Sequence, residues 1–293
     1  MRLVGTHVAL VTPFKDGAFD EAAFRGLIAH VIAGGVEGIV PCGTTGETPA
    51  LSKAEIAQVI TVAVDQAAGR VSVIAGSGAN STAATIENTR AIRELGVDAA
   101  LVVTPYYNKP TQAGLVAHYE AVAAAVPGFP IVLYNVPGRT GCNLEAETVA
   151  KLSHLDSVVA VKEASGDLAQ VQSILDSCGD RITVLSGDDA LSLPMYALGA
   201  HGVITVAGNV APKEMSDLLR VFQSGDLRAA AALQSRLNPL FEALFIESNP
   251  QPCKAALALM GKMNNELRLP LIPATDATVA RMRSVLTELG CLP

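Results

Sequence analysis

Val158-Val159-Ala160-Val161-Lys162-Glu163-Ala164-Ser165-Gly166-Asp167 reads as a strand that ends in chemistry. An apolar run rich in β-branched residues suits a strand covered on both faces. Lys162 closes that run, and a buried ammonium is costly unless it is paired or neutralised. Burial disfavours the charged form of an amine, and a neutral amine can attack a ketone to form a Schiff base. The plainer reading is a strand-end lysine that reaches solvent along its flexible stem, or that pairs with Glu163.

Working outward, seven further runs have the same character: 6–12, 38–42, 71–75, 99–104, 131–134, 182–186 and 202–205. With 158–162 they start roughly 20 to 33 residues apart, which leaves room for one helix and two loops each time. Most are continuous rather than alternating, the pattern of parallel strands. Helical spacing fills the intervals. Ser52-Lys53-Ala54-Glu55 is a capping box, and Asp20 is an N-cap for a helix that Gly34-Gly35 would end. The fold class expected is α/β, a (β/α)8 TIM barrel. After about Pro212 the strands stop, and helical pattern continues through 212–224, 226–247, 251–262 and 274–289, with breaks at Pro250 and Pro270. The division expected is a catalytic barrel over 1–225 and a C-terminal helical appendage over 226–293.

Composition removes several function classes. The chain has 293 residues, half of them hydrophobic, enough to bury a large core. A formal net charge of −7 and the lack of a basic run argue against nucleic acid. No apolar stretch of about 18 residues is present to span a membrane. The N-terminus lacks the apolar segment of a signal peptide. The five cysteines are scattered with no CxxC pair, as expected of a reducing cytoplasm. The histidines at 7, 30, 118, 154 and 201 show no metal-ligand spacing.

In a barrel of this type, active sites lie just after the strands, and the unusual residues of this chain cluster there. Gly43-Thr44-Thr45-Gly46-Glu47 follows the second run; its glycines allow inward-pointing N–H groups, and its hydroxyls add donors suited to a small carboxylate. An ordinary turn is the competing reading. No GxxxxGK[ST] pattern occurs, and Gly76-Ser77-Gly78 lacks the third glycine of a dinucleotide loop. Thr104-Pro105-Tyr106-Tyr107 follows the fourth run, where adjacent side chains face different ways, so one tyrosine is expected to line a pocket. Tyr134 ends the fifth run, placed to relay protons or to donate to a developing oxyanion. Arg139, in Pro137-Gly138-Arg139-Thr140-Gly141, carries a fork suited to carboxylates. Each of these residues also has a plain packing or solvent-exposed reading. Ser186-Gly187-Asp188-Asp189 follows the seventh run; an aspartate there is expected to cap a helix, with Gly187 allowing close approach. Ile204, on the eighth run, is expected to wall the site.

Together, Gly43-Thr44-Thr45-Gly46-Glu47, Tyr107, Tyr134 through Arg139-Thr140-Gly141, Val161-Lys162-Glu163-Ala164 and Ser186-Gly187-Asp188-Asp189 resemble the dihydrodipicolinate synthase family (4-hydroxy-tetrahydrodipicolinate synthases), within the pyruvate-dependent Schiff-base aldolases. The likeness runs nearly end to end. It implies a cytoplasmic homotetramer, a dimer of dimers, that condenses pyruvate with L-aspartate 4-semialdehyde in lysine and diaminopimelate biosynthesis without metal or organic cofactor. It implies catalytic roles for Lys162, Tyr134, Thr44 and Tyr107, the last reaching across a subunit interface. It implies substrate-binding roles for Thr45, Arg139, Gly187 and Ile204. Ile56 and Ala84 stand where lysine-inhibited relatives carry histidine and glutamate, which implies weak feedback by lysine. A related lyase acting on N-acetylneuraminate or a keto-sugar acid would share Lys162 and Tyr134 but would need a polyol-binding loop in place of Arg139. A non-catalytic keto-acid-binding barrel would tolerate loss of the lysine and tyrosine.

Overall fold

Buried apolar runs become strands where both faces are covered. The computed structural model describes residues 2–292, and in chain order its elements are β1 (Gly5–Ala9), a short antiparallel pair β2 (Phe14–Lys15) and β3 (Ala18–Phe19), α1 (Glu21–Ala33), β4 (Gly38–Val40), α2 (Lys53–Ala67), β5 (Ser72–Gly76), α3 (Thr82–Glu94), β6 (Ala99–Val103), α4 (Gln112–Ala125), β7 (Ile131–Asn135), α5 (Pro137–Thr140), α6 (Ala146–Leu152), β8 (Val158–Glu163), α7 (Leu168–Cys178), β9 (Thr183–Ser186), α8 (Ser192–Leu198) and β10 (Gly202–Thr205). Four helices follow: α9 (Pro212–Gln223), α10 (Leu227–Ala243), α11 (Gln251–Leu259) and α12 (Asp276–Leu289). The eight long strands close into a barrel in the order β1-β10-β9-β8-β7-β6-β5-β4. This is the (β/α)8 architecture expected from the sequence.

The helix starts follow local chemistry. Asp20 accepts from Ala23 N–H at 3.0 Å and caps α1. Ser52 and Glu55 form the reciprocal capping box of α2, a device worth about 1 kcal/mol. The first expected strand ends earlier than read, because β2 and β3 follow it as a hairpin. Its turn residues, Asp16 and Gly17, both have positive φ (53° and 78°), and Asp-Gly is the residue pair such a turn prefers.

The chain divides into two compact units. One comprises Val73–Ile204 with the first few residues through Gly5, and the other Thr6–Ser72 with the residues from Thr205 onward. In the first unit, β6 to β9 pair in parallel, and a register shift between Ile131 and Val132 sets what lies side by side at the strand ends. Tyr134 then stands opposite Lys162, Lys162 opposite Leu185, and Asn135 opposite Glu163. Strand side chains alternate, so Lys162 and Tyr134 share one face while Glu163 and Asn135 share the other. In the second unit, β1 pairs with β4, and α1, α2 and α9 to α12 pack against one another. Among the described residues, no helix is long and apolar enough to cross a membrane, and all five cysteines are free thiols.

Candidate active site

The strand ends of the first unit carry an amine against a phenol. Lys162 is 6 % exposed and Tyr134 is 7 % exposed. The Lys162 Nζ lies 4.2 Å from the centroid of the Tyr134 ring, within the range in which an ammonium is held by an aromatic face. Neither plain reading of Lys162 holds: the side chain does not reach solvent, and the Glu163 carboxylate turns to Asn135, Ser165 and Gln170. Gly187 shapes the other flank. A Cβ placed there would stand 2.7 Å from the Ala164 Cβ and 3.0 Å from the Lys162 Cε, so only glycine leaves the amine in place. Ile204, at the end of β10, is fully buried.

The loop after β7 forms the single turn α5, with Pro137 at its first position and Gly141 at φ 76° closing it. The Thr140 hydroxyl donates to Val136 O at 3.2 Å and to Cys142 O at 2.9 Å, which folds the loop on itself. Arg139 is exposed on this turn. The loop after β6 is tied to it: Tyr107 N–H donates to Thr140 O at 3.1 Å, and the Cys142 thiol donates to Pro105 O at 3.3 Å. Tyr107 adopts φ 76°, an uncommon conformation for a residue with a side chain, and is 88 % exposed. Tyr106 is 37 % exposed. Both tyrosines therefore sit at the surface of the single chain.

The threonine loop belongs to the second unit. Thr44–Gly46 is a 3-10 turn, closed by the Thr48 hydroxyl donating to Gly43 O at 2.9 Å. Thr45 is 3 % exposed. The Asn249 side-chain amide donates to the Thr45 Oγ1 at 2.9 Å, which leaves the hydroxyl proton of Thr45 available to an acceptor. Glu47 ends the turn in the left-handed region, at φ 53°, and is buried. Its carboxylate forms an ion pair with the fully buried Lys254 and accepts from Arg268 N–H at 3.0 Å. Lys254 also donates to Glu266 O at 2.8 Å. Burial pushes the Lys254 amine below its ordinary value, and Glu47 opposes that. Both cations lie over the Phe14 ring, the Lys254 Nζ 4.1 Å and the Arg268 Cζ 4.3 Å from its centroid. Arg268 holds the Glu55 carboxyl down at about 2 through a 2.5 Å contact.

The expected aspartate cap is a correction: α8 has Leu191 at its N-cap position, and Asp188 instead accepts from Ala190 N–H at 3.0 Å in a local turn. A helix cap accepts from N–H groups two or three residues into the helix, and α8 begins too late for that. Among the described residues, no three His, Cys, Asp or Glu side chains gather as metal ligands. Sequence reasoning missed Asn249, Lys254 and the residues around Glu163. Lys254 had a signal, since it is the one cation within Gln251–Leu259, an otherwise mostly apolar helix; the others depend on pairings remote in sequence.

The model of the Dihydrodipicolinate synthetase family matches residues 2–289. A 4-hydroxy-tetrahydrodipicolinate synthase of Geobacter sp. (strain M21) is 53 % identical over 284 residues, covering 97 % of this chain and 98 % of that one. The crystal structure of dihydrodipicolinate synthase from Thermotoga maritima superposes with a TM-score of 0.98 at 41 % identity, over the whole of both chains. That of a chloride-inhibited dihydrodipicolinate synthase from Acinetobacter baumannii, complexed with pyruvate, gives 0.96 at 43 % identity, covering 99 % of each chain.

Proposed function

Since the chain belongs to the dihydrodipicolinate synthetase family, we propose that Lys162 forms the Schiff base through which it joins pyruvate to L-aspartate 4-semialdehyde. The activity is that of a 4-hydroxy-tetrahydrodipicolinate synthase, a lyase of lysine and diaminopimelate biosynthesis. The observation that carries the role of Lys162 is the buried amine lying 4.2 Å above the ring of Tyr134.

The steps follow from that pair. The Lys162 Nζ attacks the pyruvate ketone, and loss of water leaves an imine. Once protonated, the imine draws electrons from the adjacent methyl group, which gives up a proton and becomes an enamine carbon. That carbon attacks the aldehyde of the second substrate. The amine of that substrate then displaces Lys162 and closes the ring. Lysine is itself the electron sink, so the chemistry needs no metal or organic cofactor. Tyr134 moves protons through the Thr44 hydroxyl and Tyr107. Thr44 and Thr45 hold the pyruvate carboxylate, with the Thr45 proton left available by Asn249. Arg139 holds the semialdehyde carboxylate, while Gly187 and Ile204 shape the space around the imine. Tyr107, exposed on one chain, meets a second copy, which makes a dimer the smallest competent unit of a homotetramer. The enzyme works in the cytoplasm. Ile56 and Ala84 leave a cationic amino acid without acidic partners, so feedback by lysine is weak; sub-millimolar inhibition in a steady-state assay would contradict this.

The test is turnover with pyruvate and L-aspartate 4-semialdehyde against cleavage of N-acetylneuraminate. Lys162→Ala is expected to lose at least about a thousandfold of the condensation rate. Faster turnover of the sugar acid would overturn the substrate assignment.

A further inference from the structure

Glu163 is 2 % exposed, and among the described residues no cation stands in the groups that bond its carboxylate. Its carboxylate accepts from the Asn135 side-chain amide at 3.2 and 3.0 Å, from Ser165 N–H at 2.6 Å and from the Gln170 amide at 3.1 Å. A buried charge satisfied only by neutral donors is expensive compared with an apolar residue of similar size. Such an arrangement beside functional groups calls for a role.

The direction of the network is set by the main chain. Leu144 N–H donates to the Asn135 Oδ1 at 2.9 Å, which turns the Asn135 NH2 group toward Glu163. Leu144 O accepts from the Gln170 Nε2 at 3.3 Å, and Asn143 Nδ2 donates to the Gln170 Oε1 at 2.7 Å. Every partner of Glu163 is therefore a donor, and only an acceptor on both oxygens fits. The cluster ties together three segments. Asn135 follows Tyr134 on β7, Glu163 follows Lys162 on β8, and Asn143-Leu144 follow the Arg139 turn. Main-chain bonds brace the same level: Ala164 N–H to Asn135 O at 2.9 Å and Gly187 N–H to Glu163 O at 2.8 Å.

We infer that Glu163 is a positioning residue for the condensation: its carboxylate, gripped by Asn135, Ser165 and Gln170, holds the Lys162 and Tyr134 strand ends and the Arg139 turn in one geometry. The inference rests on the Schiff-base reading of Lys162 given above. It predicts a loss in kcat rather than in pyruvate affinity, because the pyruvate carboxylate is held by a different loop. A misplacement on the order of 1 Å costs about a hundredfold in rate.

The experiment compares wild type with Glu163→Gln, Gln170→Met and the double variant Glu163→Gln with Asn135→Asp. Each is measured for thermal melting, for kcat and pyruvate KM, and for the rate at which borohydride with pyruvate labels Lys162. Glu163→Gln puts an NH2 group against donors and is expected to lower kcat about 10- to 100-fold, to slow labelling, and to leave KM within about twofold. Gln170→Met removes one donor from the outer side and is expected to lower kcat severalfold in folded protein. The double variant returns a carboxylate to the cluster and is expected to recover part of the loss. Should Glu163→Gln not fold, Gln170→Met alone decides. Unchanged kcat and labelling rate in folded variants, with wild type labelling normally at Lys162, would overturn this inference alone. No label on wild-type Lys162 would overturn the reading beneath it.

Discussion

Two glutamates, each 2 % exposed, are held in opposite ways. Glu47, at the end of the threonine turn, is matched by the buried cation Lys254, and Arg268 also lies over Phe14. Glu163, next to Lys162, is matched only by neutral N–H groups. The difference fits what each region has to hold. A loop proposed to receive a carboxylate gains from having its own acid cancelled. The acid beside Lys162 projects to the opposite face of β8, so under the proposed role it acts through the backbone it holds and not through contact with the amine. In both regions the acid is remote from the chemistry in contact terms and fixes the backbone from which the reacting groups project.

Breaking the ion pair is the largest test of this contrast. Lys254→Ala leaves Glu47 buried and unpaired, which costs about 3–5 kcal/mol, while replacing both partners with apolar residues costs far less. Urea unfolding of the single and double variants measures this; equal losses would mean that the pair carries no special weight.

Acid separates the two regions next. His118, on α4 in the unit that carries Glu163, is 4 % exposed, accepts or donates at Thr82 Oγ1 over 2.9 Å, and is lowered by burial from 6.5 to about 4. The folded state resists protonation there, so this stability is full above pH ~6.5 and is lost as pH falls toward about 4, on the order of 3 kcal/mol. Glu55, on α2 in the other unit, is held to about 2 by Arg268, so its contribution persists above its ordinary 4.5 and fades only as pH falls toward about 2. Hydrogen exchange, corrected for intrinsic rates, is expected to show α4 loosening first, and His118→Gln is expected to remove the difference.

Gly187→Ala sharpens the comparison on the side of the amine. The new Cβ meets the Lys162 stem at 3.0 Å, so kcat is expected to fall about a hundredfold with little change in pyruvate KM. Asn249→Ala acts on the threonine side and by less: it removes the 2.9 Å bond to Thr45, worth about 1 kcal/mol, and is expected to raise pyruvate KM about fivefold with kcat nearly intact. Steady-state kinetics read both, and the reverse pattern would merge the two regions into one.

The barrel was legible because parallel strands covered on both faces are continuous apolar runs, and eight of them recur at one spacing. Lys162 stood out for the same reason, as a cation that such a run should not contain. Lys254 could be singled out as a cation in an apolar helix, but the pairings within the two acid clusters were not legible. Glu163 and Asn135 meet only because the register shifts at Ile131 and Val132, and no local pattern encodes that shift. Lys254 sits in Gln251–Leu259, whose pattern reads as an ordinary buried helix, and its partner lies some two hundred residues away in the chain. Hydrophobic periodicity reports which face is covered, whereas a polar network depends on which strand ends and helix faces meet.

The most direct measurement is borohydride reduction in the presence of pyruvate, followed by peptide mass mapping. One modified residue, Lys162, is expected, with activity lost in step with the modification. A label on any other lysine, or full turnover with no label at all, would contradict it.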